Sequence, residues 1–319
     1  MKRISFHLVI AFILLLQGCI KDDLPECKSE LLLSFRYTLN NQFANLFGSE
    51  VHRITVYIFD SQNKYVDYIS EEGSQLTNDY VMHIPLPEGT YSVVAYGGDF
   101  NTYSAGELDR QMNSLNQTLR KGVTDINDFR AELKNIKGAE DYLYPIHTPD
   151  DLYVGLATHA VSAISNKDVT PVDLIKDTKK IKVKISGTNF INGPLDVYIT
   201  ALNGRYQFDN SIDSQHGIFK YTPINTILQP NYMETDLKMM RLVIGQRPML
   251  VIKNSATSEI IYQENMIEQI LLIPKYTSQE DIDRENEFVF EINLKSNENR
   301  IEITVSINGW KITNIIPDN

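Results

Sequence analysis

Leu16-Gln17-Gly18-Cys19 is the short run whose residue types and order specify a reaction most directly. A small residue before a cysteine, at the end of an apolar stretch, has the form of a lipobox. The chemistry would be cleavage between Gly18 and Cys19, acylation of the Cys19 thiol by a palmitate-type chain, and acylation of the new amino group. The preceding residues fit. Lys2 and Arg3 open the chain, and Leu8 to Leu16 is apolar throughout. A basic start, a short apolar core and a small residue at the cut describe a secretory signal over residues 1–18. The apolar run is too short for a hydrocarbon core of ~30 Å, which takes about 20 residues. Two or more acyl chains would hold the protein durably, each buried CH₂ contributing ~0.8 kcal/mol. The plainer alternative is an ordinary signal cut nearby, with Cys19 a chance residue.

Other reactive side chains form no comparable pattern. His52, His83, His147, His159 and His216 show no HExxH spacing and no pairing at metal-ligand intervals. No GxSxG elbow, Walker loop or GxGxxG occurs, and Gly97-Gly98 reads as a strand end. Asp281-Ile282-Asp283-Arg284-Glu285-Asn286-Glu287 is rich in oxygen ligands for a hard cation. It lacks the glycine of an EF-hand loop and contains Arg284, so a solvated loop is expected. Glycosidase carboxylates leave no spacing that a sequence reveals. Cys27, without an intrachain partner once Cys19 is acylated, reads as a small buried hydrophobe rather than a bridge between molecules. The expectation is no enzyme, no cofactor and no metal.

Composition sets the frame for these residues. Of 319 residues, 42% are hydrophobic and 22% charged, the balance of a folded protein. With 2 Cys there is no disulfide scaffold, and with 16 Gly and 12 Pro no collagen-like repeat. A net charge of −11 argues against a phosphate-backbone binder, so no nucleic-acid partner is expected. Loss of residues 1–18 would remove Lys2 and Arg3 and no acid, making the chain more acidic still. The 17 Tyr and 13 Phe against 1 Trp suit half-buried strands.

Strand signals dominate the rest. Leu31 to Tyr37 is a first apolar run. In Val51 to Asp60, Ile54, Val56 and Ile58 fall on one face and Thr55, Tyr57 and Phe59 on the other, a strand covered on both sides. Asp60 to Asn63 supplies a turn and Tyr65 to Ile69 the returning strand. Tyr80 to Leu86 and Tyr91 to Tyr96 are joined by Pro87-Glu88-Gly89-Thr90. This Leu-Pro-x-Gly-Thr-Tyr corner resembles the one that recurs in transthyretin-like β-sandwiches. Leu108, Met112, Leu115 and Leu119, then Ile126, Phe129 and Leu133, recur at helical spacing, with Thr124-Asp125 as a cap. Short helices or a crossing loop are expected there. Asp151 to Leu156 resumes as a strand.

A boundary is expected near residues 160–170, where Ser162 to Thr170 is short, polar and mixed. Beyond it Ile181, Val183 and Ile185 point inward and Lys180, Lys182 and Lys184 outward. Leu195 to Thr200 leads to Asn203-Gly204, a hairpin-turn pair. Leu242 to Ile244, Met249 to Ile252, Phe288 to Leu294 and Ile301 to Ile307 complete the set, with Met266 to Leu272 a short helix or strand. The expected organisation is a signal over 1–18, a lipidated tether over 19–29, and sandwiches over 30–164 and 165–319, each with roughly six or seven strands. The fold class is all-β: two tandem transthyretin-like β-sandwiches with short helical insertions.

Several segments together resemble the FimB-type family of fimbrillin-associated anchor proteins. They are the Cys19 lipobox, Asp23-Leu24-Pro25-Glu26-Cys27, Val56-Tyr57-Ile58-Phe59-Asp60, Leu86-Pro87-Glu88-Gly89-Thr90-Tyr91 and Ile307-Asn308-Gly309-Trp310. Ile20-Lys21-Asp22-Asp23 also resembles the surface-export signal of Bacteroidetes lipoproteins. The resemblance implies a lipoprotein of the outer membrane, facing outward, that secures the base of a fimbria and assists its assembly and length control. Its implied partners are fimbrial shaft subunits, joined by β-strand addition, and the outer membrane through the lipid. Host or bacterial surface ligands would be reached only indirectly. Structural fimbrillins are implied to lose a lipidated first strand by cleavage after an arginine. Arg36, inside an apolar strand, is expected to resist such a cut. Two other readings stay open: a tip or accessory adhesin, with Tyr142, Tyr144 and Tyr153 as candidate contact residues, and a surface glycan-binding lipoprotein.

Overall fold

The computed structural model describes residues 29–138, 140–161, 168–187, 193–297 and 300–315. The expected signal, Gly18, Cys19, Cys27, all of the tether but Ser29, and most of the expected boundary segment lie outside these residues. The described chain is all-β, with short helices at Phe47–Glu50, Met266–Ile270 and Gln279–Arg284.

One sandwich pairs a three-stranded sheet with a five-stranded one. The three-stranded sheet runs Val169–Asp173, Glu30–Arg36, Val81–Pro85. The five-stranded sheet runs Ile175–Lys176, Tyr153–Val161, Gly89–Gly97, Arg53–Phe59, Tyr65–Glu72. Alternation decides what lies between them. Leu31, Leu33 and Phe35 meet Ile54, Val56, Ile58, Val93 and Ala95 in one buried cluster. Each Leu, Ile, Val or Phe among them contributes roughly 1.5–3 kcal/mol when fully buried. The Leu-Pro-x-Gly-Thr-Tyr corner carries the chain from the first sheet to the second. There the Tyr91 hydroxyl donates to the Pro87 carbonyl at 3.1 Å.

The five-stranded sheet is covered on its other face too, as Tyr57 and Phe59 predict. Phe129 lies against both, with ring centroids at 4.8 Å and 5.4 Å. Phe129 belongs to a four-stranded sheet of Arg205–Gln207, Phe129–Leu133, Tyr103–Asp109 and Ser114–Asn116. This layer joins the core of a second sandwich, built from two six-stranded sheets. One runs Ile260–Asn265, Met249–Asn254, Leu195–Ala201, Phe219–Tyr221, Leu143–Pro145, Asn135–Lys137. The other runs Asn225–Gln229, Tyr232–Met240, Thr178–Ser186, Glu287–Asn297, Arg300–Ile307, Trp310–Ile315. Ile181, Val183 and Ile185 are buried, while Lys182 and Lys184 on the outer face pair with Glu234 and Glu291 on the flanking strands. Strand pairing crosses position 164 in both directions. Val169–Asp173 lies in the first sandwich, and Asn135–Lys137 and Leu143–Pro145 lie in the second.

Several local expectations are corrected. Leu108 and Leu115 are not a helical stripe but face each other across a hairpin. Asp109 Oδ1 accepts from the backbone of Gln111 and Met112, and Asn113 adopts φ of 49°, so the turn alone produces the helix-like interval. Asp125 does cap, but only the 3₁₀ turn Ile126–Asp128. Asn203-Gly204 is a crossing between sheets rather than a hairpin turn. Leu195–Ala201 pairs with Phe219–Tyr221, whereas Arg205–Gln207 pairs with Phe129–Leu133. A Cβ on Gly204 would meet the Phe219 ring at 1.9 Å. Leu242 to Ile244 is loop, and Met266–Ile270 is the helix of the two alternatives.

The acidic segment 281–287 is also no solvated loop. Ser278 and Asp281 form a capping box that starts the helix Gln279–Arg284. Buried Asp283 takes two hydrogen bonds from Arg241, at 2.8 Å and 2.6 Å. Buried Lys179 donates to the carbonyls of Ile282, Asp283 and Glu285, satisfying that helix's end. Beside this knot, at the passage from one sandwich to the other, Asp177 is fully buried. Its Oδ1 accepts from Asn210 at 3.0 Å and its Oδ2 has no partner among the described residues.

Burial pushes the Asp177 carboxyl up to about 7, against the attraction of Arg241. In the unfolded chain it titrates near its usual value of about 3.9. Its stabilising contribution is therefore complete below about pH 4 and is lost as pH rises through about 7. Asp177→Asn keeps the acceptor and removes the charge. Its stability gain over the parent is expected to be larger at pH 8 than at pH 5, by at least about 1 kcal/mol. Thermal unfolding at both pH values checks this, and an equal offset at the two would contradict it.

Candidate functional site

The first strand is the element through which an amino-terminal tether would act. Glu30–Arg36 is paired on both sides. Leu32 to Arg36 run parallel to Val169–Asp173, and Glu30 to Ser34 run antiparallel to Val81–Pro85. Hydrogen bonds close both ends. At the entry, the Ser29 hydroxyl donates to the Leu86 carbonyl at 2.6 Å, and the Leu86 N–H returns to the Ser29 carbonyl at 3.2 Å. The corner motif is thus also the point where the chain leading from residue 28 meets the sandwich. At the exit, the Leu174 N–H donates to the Arg36 carbonyl at 2.7 Å.

Arg36 is placed differently from the expectation of a residue hidden in an apolar strand. Its side chain is exposed and forms a bidentate pair with Asp173, at 2.9 Å and 3.0 Å. Its peptide group is what the sheet holds.

A cavity of about 550 Å³ opens where the sandwiches meet, lined by Glu50, His52, Asp99, Asp151, Lys176 and Lys238 among others. Its two lysines are both ion-paired, within a lining that carries more acids than bases. Lys176 bridges Glu50 at 3.2 Å and Asp151 at 2.8 Å, and Lys238 reaches Asp151 at 2.8 Å. Burial pushes the Asp151 carboxyl up, but Lys176 and Lys238 outweigh it and hold it at about 2. This is the chemistry of an ion-paired joint rather than of a catalytic acid.

The histidines stay dispersed. His83 meets Glu30 at 3.1 Å on the surface, and His159 contacts Thr170 at 2.6 Å. His216 packs on the Phe219 ring, where burial and then Arg205 push its imidazole down to about 4. Among the described residues, no three His, Cys, Asp or Glu side chains gather as metal ligands. The candidate contact tyrosines separate. Tyr153 is core, its hydroxyl donating to Glu50 at 2.6 Å. Tyr142 and Tyr198 flank the Lys220 ammonium, at 5.7 Å and 4.1 Å from the ring centroids.

Sequence reasoning missed the hairpin of Asn225–Gln229 and Tyr232–Met240. The alternation of Met233, Thr235, Leu237 and Met239 signals the second strand. Thr226-Ile227-Leu228 between Pro223 and Pro230 signals the first. Asn225–Gln229 is a sheet edge, and every residue in it is exposed.

The described chain is a pair of joined β-sandwiches whose first strand is bonded on both sides, an architecture of structural rather than catalytic pattern. The chain belongs to the family of fimbrillin-A associated anchor proteins Mfa1 and Mfa2, whose model matches residues 24–316. Among solved structures, it is similar to a candidate adhesin from Bacteroides ovatus at 23% identity. The match covers 92% of this chain and 96% of that one, with a TM-score of 0.76. A candidate polysaccharide-binding protein from Bacteroides thetaiotaomicron matches at 24% identity, 89% and 97% coverage and a TM-score of 0.74. The fimbrial anchor protein Mfa2 from Porphyromonas gingivalis matches at 17% identity, 89% and 98% coverage and a TM-score of 0.71. These likenesses show the fold. No match was found among curated proteins. The family places the protein at the cell envelope in a fimbria-associated, structural role.

The pairing around Arg36 predicts protease resistance at that bond. An arginine-specific endoprotease is expected to cut native protein after Arg110, in an exposed hairpin turn, well before it cuts after Arg36. Amino-terminal sequencing of the fragments checks the order, and comparable early cleavage after Arg36 would contradict it.

Proposed function

We propose that this protein is a lipid-held anchor for the base of a fimbria. Acylated Cys19 keeps it in the outer membrane, facing outward, and main-chain pairing at a sheet edge joins it to the fimbrial subunit. It thereby assists assembly and length control. The observation that carries the reading is the position of Glu30–Arg36, between two neighbours in its sheet, within a chain that the anchor family's model matches from residue 24 to 316. A load applied through residues 19–28 would enter a strand bonded along both sides. Pulling it out would break both ladders and expose Leu31, Leu33 and Phe35, all fully buried. A strand loosely placed at an edge could not carry such a load.

The lipid is the other half of this function. No described helix is long and apolar enough to cross a membrane, and the body is acidic. Cys19→Ser is therefore expected to shift the protein from the membrane fraction to the soluble and secreted fractions, with fimbriae shed alongside it. Immunoblotting of fractionated cells reads the outcome. A variant that stays membrane-bound, or a released variant that leaves fimbriae attached and of normal length, would contradict the proposal.

A further inference from the structure

Four buried oxygens without a hydrogen-bond partner among the described residues belong to side chains that the fold brings together. They are Tyr96 Oη, Asp177 Oδ2, Tyr206 Oη and Asn210 Oδ1. Leaving a buried polar atom unpaired is costly, so such atoms normally meet a partner.

Strand register places them. Tyr96 lies opposite Val154, and Val154 opposite Ile175, so the three side chains share one face of the five-stranded sheet. Asp177 is two residues beyond Ile175, and its N–H donates to the Leu152 carbonyl at 2.7 Å, so its side chain falls on that face too. Two strand spacings of about 4.8 Å separate Tyr96 from Ile175, a gap that a tyrosine side chain largely spans. Tyr206 comes from the four-stranded layer, and it shares a buried cluster with Tyr96, Leu152 and Val154. Asn210, four residues on, donates its amide N–H to Asp177 Oδ1 at 3.0 Å. The electrostatics agree with this placement. Burial, then Tyr57 and Asp177, push the Tyr96 phenol up, and burial and then Asp177 push the Tyr206 phenol up.

The chemistry of the four atoms defines what they would hold. The two phenols have O–H groups to donate, while Asp177 Oδ2 and Asn210 Oδ1 have lone pairs to offer. A small neutral ligand with two donors and two acceptors complements them, and water is that ligand. Charge weighs against an ion of either sign. Asp177 and Asp283 are matched by Arg241 and Lys179, and Arg130 is matched by Asp213, so a further ion would be buried without a counter-charge.

We propose that ordered water is bound among Tyr96, Asp177, Tyr206 and Asn210, where it ties the five-stranded sheet to the layers packed on it. Asp177 is the single residue between Ile175–Lys176 in the first sandwich and Thr178–Ser186 in the second, so the water sits at a point where the chain passes from one to the other. The inference stands apart from the anchor reading.

The test uses the full-length protein. A high-resolution crystal structure is expected to show solvent density within hydrogen-bond distance of Asp177 Oδ2 and of at least one of the two phenol oxygens. Tyr96→Phe and Tyr206→Phe, each of which removes only a hydroxyl, give the energetic reading. A hydroxyl bonded to water loses that bond, so each variant is expected to lower the folding equilibrium constant about five- to thirtyfold. A hydroxyl without a partner would give the opposite sign, because its removal relieves an unpaired burial. Crystals that show the phenols bonded directly to Asp177, a metal ion at the site, or no density there overturn the inference. Variants as stable as the parent, or more so, overturn it as well. Should either variant not fold, the parent crystal still decides.

Discussion

Glu30–Arg36 is bonded along both sides, and that double ladder is the constraint on which the molecule turns. Among the described residues, Val81–Pro85 and Val169–Asp173 have no other strand partners in their sheet, so there they are joined through it. Removing the first strand would divide the sheet, uncover Leu31, Leu33 and Phe35, and leave the five-stranded sheet open on one face. The strand is thus held by hydrophobic burial on top of main-chain hydrogen bonds. Bonding at Ser29–Leu86 and at Arg36–Leu174 fixes both ends against fraying.

The second constraint is the covering of the five-stranded sheet on both faces. Ile54, Val56 and Ile58 feed one core while Tyr57 and Phe59 feed the other, so a single strand is shared between two hydrophobic clusters. Strands from either side of position 164 complete each other's sheets, and the buried pair Arg241–Asp283, with Lys179 on the helix end, fills the passage between them. Breaking a buried pair strands a charge and costs about 3–5 kcal/mol. Force entering at the first strand therefore spreads through a joined body rather than a flexible pair of beads. This is the mechanical property that a fimbrial anchor requires.

Much of this was legible in the sequence where period and burial agree. The alternation in residues 53–59 and 180–186 gave both the strands and their faces. The Leu86–Tyr91 corner gave the crossing between sheets, and the segments that resemble the anchor family pointed to the membership its model shows. What was not legible depended on contacts distant along the chain. Leu108 and Leu115 look helical at seven residues' separation because a hairpin turn sets the same interval. The acids at 281–287 look solvated because Arg241 and Lys179, their partners, lie far away in sequence. Arg36 reads as buried from its apolar neighbours, although alternation turns it outward to Asp173. The strand Asn225–Gln229 is exposed at every position, Ile227 and Leu228 included, so no alternation of buried and exposed residues marks it.

The proposal that the first strand is retained and lipid-bearing is tested most directly by intact mass spectrometry of the protein extracted from native membranes, with sequencing of its amino-terminal peptide. The predicted species begins at an acylated Cys19 and continues unbroken through Glu30–Arg36. A mature chain beginning at Tyr37, or one with an unmodified amino terminus upstream of it, would contradict both the anchor and the strand that is meant to bear its load.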